Sequence, residues 1–291
     1  GLVQEEEGRG DVCEPLLKAT KVTIRFGGLT ALSEFNLEIR KGDLQGLIGP
    51  NGAGKTTAFN VLTGVYLPTE GDIFVGGQRV NGKRPHQINQ LGLARTFQNI
   101  RLCKELAVLD NVRVAVQAER KPWFPSARPG GVGTALLAVD NYRDWWRALL
   151  RTPRFLEEEA GIEKKARELL DVMGLSHRVD EQAKNLPYGE QRRLEIARAL
   201  ATEPKVLLLD EPAAGMNTRE KADLMVLIRE LRERFELGIL VIEHDMKLVM
   251  GICERLTVLD HGETIAHGEP AAVRADAKVI EAYLGEAPAH A

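Results

Sequence analysis

Residues 49–57, Gly-Pro-Asn-Gly-Ala-Gly-Lys-Thr-Thr, have the types and spacing needed to hold phosphate. They fit GxxxxGK[ST] and lie between an apolar run, "LQGLI", and a stretch that reads as a helix from Lys55 to about Thr63. Gly49, Gly52 and Gly54 let successive backbone N–H groups curl around phosphate oxygens, with Pro50, Asn51 and Ala53 completing the loop. The helix that follows aims its positive N-terminal end at the same anion. Lys55 has the reach for the β- and γ-phosphates of a nucleotide, the Thr56 hydroxyl is a ligand for Mg²⁺, and Thr57 closes the motif.

A second stretch, "VLLLDEP" at 206–212, is an apolar strand ending in two adjacent acids, at the edge where open α/β sheets bind ligands. Asp210 is placed to hold Mg²⁺ through water. Glu211 is placed to orient or deprotonate an attacking water. His244 in "VIEHDM" follows another apolar run; it suits either a γ-phosphate contact or a structural role. Gln98 in "ARTFQNI" suits an amide near the metal or a plain loop.

These residues need a frame to position them. From 20 to 80, short β-like runs ("KVTIRF", "FNLEI", "LQGLI", "DIFV") alternate with Gly-containing turns. After 200, "KVLLLD" and "LGILVIE" are continuous apolar runs, as parallel strands covered on both faces require. Between them Leu224, Leu227, Ile228 and Leu231 form a helical stripe, which predicts a crossover helix over 218–235. "RLTVLDHGETIAHGE" reads as a hairpin. Ile162, Ala166, Leu169, Leu170 and Met173 are spaced as one face of a helix. Residues 120–150 hold Trp123, Trp145 and Trp146 with several Pro and Gly, and read equally as a docking surface or as the core of a helical insertion. The class is α/β with a mainly helical subdomain inserted.

Composition narrows the function. The chain has 291 residues and a formal net charge of −3, so no general basic field favours nucleic acid. Its three cysteines, Cys13, Cys103 and Cys253, are far apart, which argues against a disulfide framework or zinc site and suits a reducing compartment. No apolar run is long enough to span a bilayer. "GLVQEEEGRG" is not expected to be a signal peptide; residues 1–15 are expected to form a flexible lead and 287–291 a tail.

"NLPYGEQRRLEIARAL", 185–200, is a sharp turn entering a helix that is both basic and half apolar. Read alone it is an amphipathic helix or a nucleic-acid contact. Together with the motifs above, it resembles the signature segment of ATP-binding cassette (ABC) ATPases. Gly49–Thr57, Gln98, the turn before Glu190, Asp210-Glu211 and His244 match that family's Walker A, Q-loop, signature, Walker B and H-loop in order. The resemblance covers 16 to about 286 as one ABC ATPase domain. It implies a P-loop NTPase (RecA-like) core with an N-terminal antiparallel β subdomain and an inserted α-helical subdomain at about 105–200. Phe26 falls where the family stacks an aromatic ring on adenine.

"RFGGLTAL", "GLARTFQNIRL", "DEPAAGMN", "IEHDMKLVMGICERL" and "HGEPAAVRADAKVIEAYLGE" are similar to the nucleotide-binding subunit of branched-chain amino-acid importers. The resemblance implies ATP and Mg²⁺ as cofactors, with Lys55, Glu211 and His244 catalytic and Thr56, Gln98 and Asp210 on the metal. It also implies a second ATPase subunit, two permease subunits, and a peripheral place on the cytoplasmic face of a bacterial inner (plasma) membrane. It implies no nucleic acid and no contact with the solute. A urea or lipid-linked transporter, or a soluble non-transport ABC ATPase, are the alternatives.

The helix from Glu190 is expected to point its N-terminus at ATP held by the other subunit, with its arginines flanking that phosphate. The chain departs from the family's Leu-Ser-Gly-Gly-Gln: Pro187 replaces Ser, Tyr188 replaces the first Gly, Gly189 remains and Glu190 replaces Gln. Asn217 stands where many relatives have Asp. All these departures are expected on the surface offered to the partner's nucleotide, which favours a heterodimer.

Overall fold

A computed structural model describes residues 14–119 and 153–284. Trp123, Trp145 and Trp146, most of the expected lead and the tail lie outside the described residues, as does Cys13. The strands are β1 (Leu17–Phe26), β2 (Leu29–Ile39), β3 (Leu44–Ile48), β4 (Glu70–Val75), β5 (Gln78–Arg79), β6 (Leu93–Arg95), β7 (Val206–Asp210), β8 (Gly238–Ile242), β9 (Arg255–Asp260) and β10 (Glu263–Gly268). The helices are α1 (Lys55–Leu62), α2 (Pro85–Asn89), α3 (Val108–Glu119), α4 (Pro153–Val172), α5 (Tyr188–Leu200), α6 (Thr218–Arg234), α7 (Met246–Ile252), α8 (Pro270–Ala275) and α9 (Ala277–Leu284).

Two sheets form the frame. An antiparallel sheet has the order β2-β1-β4-β5, and a larger one the order β10-β9-β3-β8-β7-β6. In the larger sheet the strands from β9 to β6 are parallel, and only the β9–β10 hairpin is antiparallel. The sheets are joined where Ser33 N–H donates to the Gly262 carbonyl at 2.8 Å.

The continuous apolar runs have a simple cause. Side chains alternate faces along a strand, and here both faces are covered. Val206 and Leu208 of β7 with Leu240 and Ile242 of β8 pack towards Phe59 and Leu62 of α1 and Phe35 of the antiparallel sheet. Leu207, Leu209, Ile239 and Val241 point the other way, into a core shared with α3, α4, α5 and α6. No residue of these strands can be polar except at the carboxyl ends, and the acids at 210, 211 and 243 are there.

The expected stripes are buried as their spacing requires: Ile162, Ala166, Leu169 and Leu170 on α4, and Leu224, Leu227, Ile228 and Leu231 on α6. α6 is capped by Asn217, whose side chain accepts from Glu220 N at 2.9 Å while Glu220 accepts from Asn217 N at 3.0 Å. α5 starts at Tyr188, two residues before the expected Glu190, because Pro187 already has extended dihedrals and serves as N-cap.

Candidate active site

β3 is fully buried and delivers the chain to Gly49 at the sheet's carboxyl edge. Gly49 has φ 147°, and a Cβ there would lie 2.0 Å from the Leu259 carbonyl oxygen on neighbouring β9. Gly54, the α1 N-cap at φ 101°, would place a Cβ 2.8 Å from the Ala31 carbonyl oxygen. Only glycine fits at either place. Lys55 is buried, and its Nζ donates to the Gly49 carbonyl at 2.5 Å and the Pro50 carbonyl at 2.7 Å. The ammonium therefore sits inside its own loop, while Thr56 next to it is exposed. The first N–H groups of α1 have no intrahelical acceptor, so a phosphate here would meet donors and a fixed cation together.

Glu211 leaves β7 with φ 47°, a left-handed conformation that costs a non-glycine residue about 1–3 kcal/mol. The sheet holds it there: Glu211 N–H donates to Ile242 at 2.9 Å, and its carbonyl accepts from Ala214 N at 3.1 Å. The turn swings the carboxylate out of the strand. Its Oε1 lies 2.5 Å from His244 Nε2, and its Oε2 accepts from Gln98 Nε2 at 3.0 Å. Glu211, Gln98 and His244 come from three separate loops and meet at one carboxylate.

They form one wall of a cleft of about 620 Å³, whose floor is Asn51–Thr57 and whose rim carries Phe26. The Phe26 ring is half exposed and set edge-on to Tyr66, with centroids 5.2 Å apart. Leu29, Thr30, Ala31, His261 and Gly262 also line the cleft. None of these five was singled out from sequence. The β1–β2 and β9–β10 turns bring them in, and only the sheet topology reveals that these turns are neighbours.

Asp210 lies beneath, its side chain 4 % exposed and paired with Arg95 of β6 at 2.7 Å. Thr56 hydroxyl, Gln98 amide oxygen and Asp210 carboxylate are all hard oxygen donors, the set Mg²⁺ takes alongside substrate phosphates. Among the described residues no cluster of three or more His, Cys, Asp and Glu offers a fuller cage. The residues thus fit Mg²⁺ brought with a nucleotide.

The turn at 186–190 is not in this cleft. Of the arginines that follow it, Arg192 and Arg198 are turned onto carbonyl groups of this subunit rather than towards a phosphate, which corrects the expectation for those two. Arg192 is 1 % exposed; it donates to the Phe97 carbonyl at 2.6 Å, to the Gln98 carbonyl, to Glu195 at 2.9 Å and to the Tyr188 hydroxyl at 3.1 Å. Arg198 donates to the Arg101 carbonyl. A buried guanidinium must find acceptors, and the Gln98 loop crossing α5 supplies them. Of the departures, Pro187 and Tyr188 are exposed, the Tyr188 ring lying beside Gly215, while Glu190 is half-buried and pairs with Arg178 at 3.3 Å.

Behind Glu211, Glu243 accepts from Ala213 N at 2.7 Å and anchors the 213–217 loop. Burial raises its pKa above the ordinary 4.5, outweighing the hydrogen bonds from Ala213 and His244. The folded state thus holds this proton more tightly than the unfolded chain. The resulting stability is complete below pH about 4.5 and is lost as pH rises through the folded pKa. Glu243→Gln is therefore expected to gain melting temperature relative to the native chain as pH rises above about 4.5. An offset independent of pH would exclude titration of this group.

A family model described as "ABC transporter" matches residues 32–214, and one described as "Branched-chain amino acid ATP-binding cassette transporter" matches 263–289. The chain is 44% identical over 274 residues to the high-affinity branched-chain amino acid transport ATP-binding protein LivG of Escherichia coli (strain K12), covering 94% of this chain and 99% of the relative. It is 42% identical over 273 residues to BraF of Pseudomonas aeruginosa, at the same coverages. The crystal structure of the ADP conformation of MJ1267, an ATP-binding cassette of an ABC transporter, superposes with a TM-score of 0.74 at 30% identity, over 93% of this chain and 99% of that one.

Proposed function

The chain belongs to the ABC transporter family, and on that premise we propose that it is the ATP-hydrolysing subunit that energises an importer of branched-chain amino acids. The observation that carries the chemistry is the Glu211 carboxylate held between His244 and Gln98 on the wall above the P-loop. The similarity to LivG and BraF, together with the match at 263–289, supports the solute class.

In this reading the nucleotide base rests against Phe26, and the phosphates lie over the N–H groups of Asn51–Thr57. Lys55 and the α1 N-terminus supply positive charge to the β- and γ-phosphates. Thr56, Gln98 and, through water, Asp210 would hold Mg²⁺, which would supply further positive charge to the phosphates. Glu211 receives the proton of the attacking water. His244, with Nε2 2.5 Å from Glu211 Oε1, keeps the carboxylate aimed. Pro187–Glu190 would close over the nucleotide of a second ATPase subunit.

As an importer ATPase the chain works with permease subunits and dimerises. We place it on the cytoplasmic face of the membrane, held there by the permeases; none of its described helices is long and apolar enough to cross a bilayer. Reconstitution with the permeases that co-purify with it tests the solute: leucine uptake driven by ATP is expected, and uptake of urea instead would overturn the assignment.

Lys55→Ala is expected to abolish measurable nucleotide binding, because it removes the cation embedded in the phosphate loop. Calorimetry with ATP reads this directly. Near-native affinity would remove the P-loop from the site.

A further inference from the structure

We propose that Arg95 is a positioning residue for the metal site, a fixed counter-charge on Asp210 that weakens the protein's own hold on Mg²⁺. The proposal rests on the reading of Asp210 as the metal-side carboxylate.

The geometry is specific. Arg95 ends β6, next to β7 in the sheet, and its side chain is 7 % exposed. One arm of the guanidinium, Nη2, donates to Asp210 Oδ2 at 2.7 Å. The other, Nη1, donates to Asn60 Oδ1 at 2.7 Å and to Thr63 Oγ1 at 3.3 Å, both at the far end of α1. The charged carbon lies 5.4 Å from the Phe59 ring centroid and 5.2 Å from that of Phe97. Both Nη arms are thus held by hydrogen bonds and the group is flanked by two rings, while Nε is buried without a hydrogen-bond partner.

Two consequences follow. Asp210 keeps one oxygen, Oδ1, for water on a metal, so its orientation is set before metal arrives. A permanent positive charge also stands behind that carboxylate and opposes any cation in front of it. Arg95 compensates the buried Asp210 charge while no metal is there, so the fold does not depend on metal. Mg²⁺ is then retained only when nucleotide phosphates add their own charge, and it can leave with the product.

The test is Mg²⁺-dependent ADP binding, followed by calorimetry. Arg95→Gln removes the charge but keeps an amide that can donate to Asp210. Its Mg²⁺ requirement for half-saturation with ADP is expected to fall about tenfold, the order a nearby unit charge gives in a partly buried site. Its melting temperature should also gain more from Mg²⁺–ADP over ADP alone than the native chain gains. Arg95→Lys, which keeps the charge, should stay within about twofold of native.

An unchanged Mg²⁺ requirement in folded Arg95→Gln overturns the proposal. So does a variant that stays unfolded even with saturating Mg²⁺–ADP, since that result makes Arg95 structural alone. Asp210→Asn separates the premise from the proposal. If it leaves the Mg²⁺ requirement unchanged, the metal placement fails and takes the proposal with it. An Asp210 effect without an Arg95 effect overturns the proposal only.

Discussion

Glu211→Gln is expected to bind ATP as the native chain does and to lose about 10²–10⁴-fold in hydrolysis, the range attributed to a positioned general base. ATP-bound dimers should then accumulate and elute early in size exclusion, because the step that ends the closed state is blocked. The substitution is a test of chemistry, since it changes almost nothing else. Gln has the volume of Glu, and the φ of 47° at this position is imposed by the sheet bond to Ile242, which any side chain keeps. The amide oxygen can still accept from His244 Nε2, and the one contact given up is the 3.0 Å bond from Gln98 Nε2. What is lost is the ability to take a proton. Native turnover in the variant would place the base elsewhere, with His244 the next group in line.

Much of this site is legible in sequence, and the reasons are local. Residues 49–57 carry their structure with them, because glycine positions, helix start and lysine lie within one turn of chain. β7 and β8 announce themselves as unbroken apolar runs, since both faces of the sheet are covered. The acids at 210 and 211 stand out as the first polar residues after such a run.

The pairings around them are not legible, because they join distant parts of the chain. Arg95 meets Asp210 across 115 positions, and Arg192 meets the Phe97 carbonyl across 95. β6 has three residues, too few for any periodicity to register. On sequence alone Arg192 is one of three arginines on a helix facing an anion. Its burial, which sends it to the Gln98 loop instead, depends on how α5 crosses that loop. Arg95 carries no local signal that distinguishes it from a surface arginine.

The remaining expectation concerns the partner. Pro187 offers neither a hydroxyl nor an N–H, and it stands exposed at the N-cap of α5 without a side-chain cap. A serine there would give a hydrogen bond to a charged phosphate, worth about 1.5–3 kcal/mol. At about 1.4 kcal/mol per decade, a homodimer with two Pro187 sites should turn over about ten- to a hundredfold more slowly than one with serine. The backbone already permits the change: φ −54° and ψ 152° are ordinary N-cap values, and the Pro187 carbonyl bond to Gln191 N at 3.0 Å does not involve the ring. Pro187→Ser is therefore expected to speed the purified chain. In the assembled transporter a second ATPase with an intact signature would already complete the site on this chain's P-loop, so the gain there should be smaller. Tyr188 and Glu190 do not add to the deficit in the same way, since their side chains engage Gly215, Arg192 and Arg178 within the subunit. Gly189 and the helix N-terminus survive, and they set the rate that remains. ATPase rates of the lone chain, its Pro187→Ser variant and the reconstituted transporter decide the matter: a lone chain that dimerises and matches the full complex, unaffected by serine, has no need of a different partner.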